Sequence, residues 1–352
     1  MTRFPRSRVR LAAAVAVLLL GVVAASAATA ASEATPAVKP YTKAQWNALI
    51  AKAKQEGSVT VYSSEHPVYL QDLANKFKER YGISVTVNRA VDNVLVTQVT
   101  AEHGTNNLKA DLWISASKPQ VLGALKNGWV ADAKGPSFFM KRYDRTKFAK
   151  PGKAFAVGTA VLAIGWNSRA VPQGIKDYPG FINQSLSGGK IGVPDPKAAP
   201  AFIDFYLWLQ ENYGADYLSK LAALKPKIYV STLPMQQAMT SGEIAATILT
   251  PATTRDLKAQ GAPVDFAIPP KGAWNAVWFG MVLKEAPHPN AAQLLADYFV
   301  TPEGQGLVHK SYGSVLKGVP GTFYVPFREQ KLNNFTPAKV KAFNDNFDRL
   351  FR

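Results

Sequence analysis

From Tyr41 onward the chain switches repeatedly between two hydrophobic periods. Trp46, Leu49, Ile50 and Ala53 recur at helical spacing; Val59, Val61 and Tyr62, following Gly57, read as a short strand; Leu70, Leu73, Phe77 and Tyr81 return to the helical period until Gly82 ends it. Ser84 to Val87 predicts a second strand, Val91 to His103 a helix closed by Gly104, and Ala110 to Ser115 a third strand. Helices between strands imply crossover connections, so the order βαβαβ predicts a largely parallel sheet.

The scheme then repeats. Val157 to Asn167 reads as one strand containing Gly158 and Gly165, and a new unit opens after Pro172. Strands are predicted at Lys190 to Val193, Ile228 to Val230 and Ile244 to Leu249, alternating with helices marked by Phe202, Phe205, Tyr206 and Leu209, by Leu218, Leu221 and Leu224, and by Met235 to Thr240. A further helix starts at Thr250 and stops at Gly261. Val264 to Ile268 and Val277 to Leu283 follow as strands, then a helix with Ala292, Leu295, Ala296 and Phe299 whose end carries Thr301 to Gln305. Thr336 to Arg352 is a last amphipathic helix, with Val340, Phe343, Phe347 and Leu350 on one face.

Candidate chemistry sits in the turns. Ser63, Ser64, Glu65, His66 and Pro67 join the first strand to its helix, where Ser64 can cap and Pro67 suits the first turn. Ser115 and Ser117 form a second hydroxyl turn, which a parallel sheet places at the same edge, the edge where open α/β folds hold ligands. Thr250, Thr253 and Thr254 surround another helix start, whose unpaired amides suit a phosphate, phosphonate or carboxylate, and Arg255 can add a bidentate contact. Helix capping alone also accounts for each hydroxyl. Trp113 alternates with core positions and packs; Trp166, Trp274 and Phe279 flank the apolar strands and are candidates for an aromatic cleft wall.

Composition narrows the class. Arg3, Arg6, Arg8 and Arg10 precede an apolar run from Leu11 to Ala25 and small-residue A-x-A patterns, so residues 1–30 read as a secretory signal peptide and 31–40 as a polar, proline-containing leader. The formal charge of +17 falls to +13 without those four arginines, and the basic residues are scattered, which gives no dedicated nucleic-acid surface. There is no cysteine, hence no disulfide, thiolate metal site, cysteine nucleophile or lipid-modified cysteine. No G-x-S-x-G, H-E-x-x-H, P-loop or G-x-G-x-x-G occurs, and no serine has a histidine and an aspartate placed by sequence context, so an enzyme is not expected.

TVYSSEH, ADLWIS, SGEIAATIL and HPNAAQLLADYFVTPEGQ together resemble bacterial extracellular solute-binding proteins of ABC importers, in the branch typified by periplasmic ferric-ion-binding proteins. The resemblance covers essentially the mature chain. It implies an α/β, two-lobed type II periplasmic binding fold, each lobe a mixed, mainly parallel sheet flanked by helices, closing on a solute about hinge strands near Gly158 to Asn167 and Phe266 to Gly272. Residues 41–157 and 272–330 would form lobe 1 and 158–271 lobe 2; the C-terminal helix within 331–352 is assigned to neither. The family's partners would be a small-molecule solute and an inner-membrane permease; a monomeric periplasmic receptor without cofactor, nucleic acid or catalysis is implied.

In the ferric branch a histidine in the first turn, a carboxylate after the ADLWIS-like strand and two adjacent tyrosines hold iron. Here His66 matches the histidine, Ala116 stands at the carboxylate position, and Pro251 and Ala252 stand at the tyrosines. A hard cation needs anionic oxygens that these positions do not supply. The expected solute is therefore a small organic anion bearing phosphate, phosphonate or carboxylate, met by Ser63, Ser64, Ser115 and Ser117 from one lobe and the threonine turn from the other. Ferric iron, with Glu65 or Asp195 supplying a carboxylate, and a thiamine- or polyamine-type cation are the alternatives.

Overall fold

The two hydrophobic periods build two sheets. The computed structural model describes residues 38–148, 153–269, 272–310, 312–322, 328 and 330–352; the signal peptide and most of the leader expected from the sequence lie outside them. The chain runs α1 (Lys43–Glu56), β1 (Ser58–Ser63), α2 (Pro67–Tyr81), β2 (Ser84–Arg89), α3 (Asp92–Gly104), β3 (Leu112–Ser115), α4 (Lys118–Lys126), α5 (Arg145–Phe148) and β4 (Phe155–Val161). Next come β5 (Ala163–Asn167), α6 (Tyr178–Phe181), β6 (Ile191–Pro194), α7 (Pro200–Tyr213), α8 (Tyr217–Ala223), β7 (Lys227–Tyr229), α9 (Thr232–Ser241), β8 (Ala246–Leu249), α10 (Pro251–Ala259) and β9 (Val264–Ala267). Then follow β10 (Asn275–Val282), α11 (Pro289–Phe299), α12 (Pro302–Val308), β11 (Gly313–Ser314) and α13 (Pro337–Phe351).

The six-stranded sheet has the order β11-β4-β10-β3-β1-β2, with β1 parallel to β2 and β3, and β10 antiparallel to β3 and β4. The five-stranded sheet has the order β7-β6-β8-β5-β9, with β6 parallel to β7 and β8, and β5 antiparallel to β8 and β9. Both are mixed and flanked by helices, as the resemblance implies, but neither is mainly parallel as expected: two of five pairings in the first and two of four in the second are parallel, because β10 and β5, the strands after each crossing, run against their neighbours.

The stretch expected as one strand, Val157 to Asn167, is two. It breaks at Leu162, so that β4 ends in the six-stranded sheet and β5 begins the other. The chain returns between Ala267 and Asn275, and the two crossings meet: the Leu162 amide donates to the Trp274 carbonyl at 2.9 Å.

Local sequence explains the elements around the crossings. In α2 the predicted apolar face is buried at Leu70, Leu73 and Phe77, with Tyr69 and Ala74 added, and Gly82 at φ 74 stops the helix in a left-handed turn that glycine adopts without a Cβ penalty. Thr301 does not extend α11 as expected: its hydroxyl accepts from the Gly304 amide at 3.0 Å and caps a separate helix, α12. The strand expected at Ile228 to Val230 lies one residue earlier, leaving Val230 exposed. The C-terminal helix packs on the five-stranded half. Phe347 is fully buried against Tyr206 of α7, and Lys197 pairs with Asp348 at 2.5 Å.

Candidate functional site

A cavity of about 80 Å³ lies where the parallel strands of both sheets end. Ser64 follows β1, Ala116 follows β3 and Thr250 follows β8, while Leu162, Trp274 and Ala276 bring the crossing segments into the same wall. This is the ligand edge of an open α/β sheet, supplied here from two sheets at once.

Four helices open on this cavity. Val91, Ala199, Ser231 and Thr250, the residues capping α3, α7, α9 and α10, all line it, and none makes a side-chain cap hydrogen bond. The first-turn amides of these helices thus lack the usual side-chain acceptors, and each terminus carries partial positive charge. Arg89, the last residue of β2, adds a full charge to the wall. It enters no ion pair among the described residues; its Nε donates only a long contact, 3.4 Å, to the Glu65 carbonyl. Burial depresses the guanidinium's pKa, opposed by Tyr312 and Asp92.

Asp92 is the buried counterweight. It accepts from Ser64 Oγ at 3.2 Å, from Ser115 Oγ at 2.9 Å and from the Ala116 amide at 3.3 Å. Burial raises its pKa against those three hydrogen bonds and against Arg89. The carboxylate ties both serine turns to the start of α3, so the Ser64 and Ser115 hydroxyls point at Asp92.

Of the residues singled out from sequence, the structure brings Ser64, Thr250 and Trp274 to the cavity wall. Thr250 Oγ1 meets Tyr312 OH at 3.1 Å, and Trp274 donates its indole N–H to Asp204 at 2.7 Å, where Arg328 also pairs. Ser63 is buried and hydrogen-bonds Glu65, at 3.1 Å. Ser117 caps α4 by position, but it and Thr254 are fully buried, their hydroxyls without partners among the described residues. Arg255 stands on α10 off the wall, and the Thr253 side chain lies outside what is described. Trp166 packs in the core against Gly174, and Asp195 is held by Arg352 at 2.6 Å, so neither lines the cavity. A register shift between Trp278 and Phe279 in β10 puts Trp278 on the wall and turns Phe279 toward the neighbouring core.

His66 caps α2, its Nδ1 accepting from the Val68 amide at 3.3 Å, and borders a second groove of about 560 Å³ with Tyr69 and Asp256. Burial, assisted by Arg89, lowers its pKa to about 4, so the ring is neutral near neutral pH. Among the described residues no three histidine, aspartate or glutamate side chains come together in a group able to hold a metal ion.

The missed residues are Arg89, Asp92, Ser231 and Trp278. For Arg89 a signal exists: Val85, Val87 and Arg89 alternate on one face of β2, so an arginine takes a core-register position at the ligand edge.

A Haemophilus influenzae protein described as uncharacterized is 23% identical over 312 residues, covering 86% of this chain and 88% of its own. Among solved structures, the periplasmic binding protein AfuA of Actinobacillus pleuropneumoniae, with exogenous fructose-6-phosphate bound, is 20% identical at a TM-score of 0.68, covering 84% of this chain and 98% of its own. Iron-bound HitA from Pseudomonas aeruginosa is 18% identical at a TM-score of 0.63, over 83% and 99% of the two chains. These neighbours share the type II periplasmic binding fold. The family described as bacterial extracellular solute-binding protein matches residues 59–313, and with that span of the chain accounted for, the protein belongs to this family.

Proposed function

We propose that this chain is the periplasmic receptor of an ABC importer and that it captures a small organic anion through a phosphate, phosphonate or carboxylate group. The carrying observation is the convergence of Arg89, outside any ion pair among the described residues, with four helix starts that lack side-chain caps on one cavity. Four such termini contribute about 1–4 kcal/mol to an anion, at 0.3–1 each, and a guanidinium adds a bidentate charge-assisted contact. Against a thiamine- or polyamine-type cation stand those termini and Arg89, with Asp92 the one carboxylate on the described wall and already accepting from Ser64, Ser115 and the Ala116 amide. Fructose-6-phosphate in the AfuA structure supports a phosphorylated solute.

The volume fits the head group rather than a whole sugar. About 80 Å³ is the space of two or three waters at roughly 30 Å³ each, so a larger solute enters with the two halves apart. Polar contacts join them: Tyr69 OH donates to Asp256 at 2.8 Å, Thr250 meets Tyr312, Asn93 Nδ2 donates to the Lys197 carbonyl at 2.7 Å, and Lys310 lies 3.9 Å from Asp256. A solute bridging Arg89 on one half to Ser231 and Thr250 on the other favours the closed state, which the permease then recognises. Nothing in this cycle asks the chain for catalysis, and a monomer suffices.

A thermal-shift panel of organophosphates, phosphonates, aromatic acids, polyamines and ferric citrate, run beside native mass spectrometry of the gently purified protein, tests the reading. Stabilisation by an organic anion is expected. Stabilisation by ferric citrate or a polyamine alone overturns it.

A further inference from the structure

A serine, a histidine and an aspartate far apart in the chain do meet, at the opposite end of β1 from the cavity. Ser58 Oγ lies 3.1 Å from His288 Nε2, and His288 Nδ1 lies 3.0 Å from Asp111 Oδ2. Five strand steps, about 17 Å at 3.3–3.4 Å each, separate Ser58 from Ser63 at the ligand edge. We propose that Ser58 is a reactive hydroxyl that takes an acyl group from an activated ester, with His288 as its base and Asp111 as the positioning residue.

The geometry fixes the proton. Asp111 is fully buried and also accepts from the Thr60 amide and the His288 amide, each at 2.7 Å. A carboxylate holding these bonds only accepts, so His288 carries its proton on Nδ1 and presents the Nε2 lone pair to the Ser58 hydroxyl. Pro287 and Pro289 on either side restrict the backbone that carries the ring. The hydroxyl and imidazole are reachable: Ser58 is partly exposed, the His288 side chain is 30% exposed, and open space surrounds the Cβ direction of neighbouring Gly57. A site on an open surface suits an ester whose leaving group departs unaided, such as an aryl ester.

In the step, Ser58 Oγ bonds to the carbonyl carbon while its proton passes to His288 Nε2. The bond from that carbon to the aryl oxygen breaks, the aryl oxide leaves, and it recovers the proton from the imidazolium that Asp111 has steadied. The products are a Ser58 ester and a phenol. Solute capture at the other end of the sheet does not depend on this chemistry.

The test treats the whole mature protein with 4-nitrophenyl acetate, follows nitrophenolate release, and locates the acetyl group by tandem mass spectrometry of the peptide that also contains Ser63 and Ser64. Acetylation of Ser58 in preference to those two serines is expected, with no such label in Ser58→Ala. His288→Gln should slow the reaction by about 100-fold, the scale of general-base assistance, and added imidazole should restore part of it in His288→Ala. No acetyl group on Ser58, or an unchanged rate in His288→Gln with the fold intact by circular dichroism, overturns the proposal.

Discussion

Replacing Arg89 with methionine removes the only lysine or arginine on the described cavity wall while keeping an unbranched apolar stem in β2. A hydrogen bond to a charged group is worth about 1.5–3 kcal/mol, and each 1.4 kcal/mol is tenfold in affinity. Binding of the organophosphate that gives the largest thermal shift should therefore weaken roughly 10- to 140-fold. The empty protein should respond differently. Arg89 makes one long contact to a carbonyl, and burial already disfavours its charge, so removing it relieves desolvation and leaves the melting temperature unchanged or raised. Titration calorimetry of both proteins at two salt concentrations, beside thermal unfolding without solute, separates the two effects. Equal affinity in the variant, or a fall in melting temperature that accounts for the loss of binding, refutes the assignment of Arg89 to the anion.

Three further outcomes follow from the same structure. Tyr69→Phe with Tyr312→Phe deletes the hydrogen bonds to Asp256 and Thr250, about 1 kcal/mol each, and should enlarge the radius of gyration of the solute-free protein in X-ray scattering; an unchanged radius removes these phenols from the closed state. The His66 pKa is lowered from 6.5 to about 4, so below 6.5 the unfolded chain binds the proton first and stability is lost as pH falls toward 4. His66→Asn keeps a capping side chain without that titration, and its melting temperature should fall less steeply over this range; parallel curves contradict the shift. Phe347→Ala empties a fully buried site under α13 and should cost about 3–5 kcal/mol in urea unfolding, whereas a cost below 1 kcal/mol means the tail helix is dispensable.

Periodicity carried most of the architecture because it is a local property. Leu70, Leu73 and Phe77 announce a helical face whatever they meet, and the ADLWIS run announces a buried strand. The cavity wall depends on encounters between distant residues. Asp195 looks available in sequence until Arg352, 157 positions later, takes its carboxylate. Ser64 and Ser115 look free until Asp92 arrives from the next helix. In β10 a single irregularity at Trp278 and Phe279 exchanges which ring faces the cavity, and no alternation rule anticipates where a bulge falls. Arg89 was within reach: it continues the alternation of Val85 and Val87, but a strand read as ending at Val87 stops short of it.

The hydrogen bond between Leu162 and Trp274 gives the cavity an unequal wall. If the halves rotate about the joined crossings, residues on that axis sweep almost no distance. A solute resting on Leu162, Trp274 and Ala276 keeps those contacts open or shut, so they raise affinity without exerting any closing torque. Arg89, Ser231 and Thr250, set on the two arms, make their joint grip only at one angle. On that geometry the axis residues add affinity alone, so a variant of the axis makes a weaker receptor that still closes, whereas the arm residues add affinity and closure together, so a variant of the arms such as Arg89→Met both binds more weakly and closes less readily.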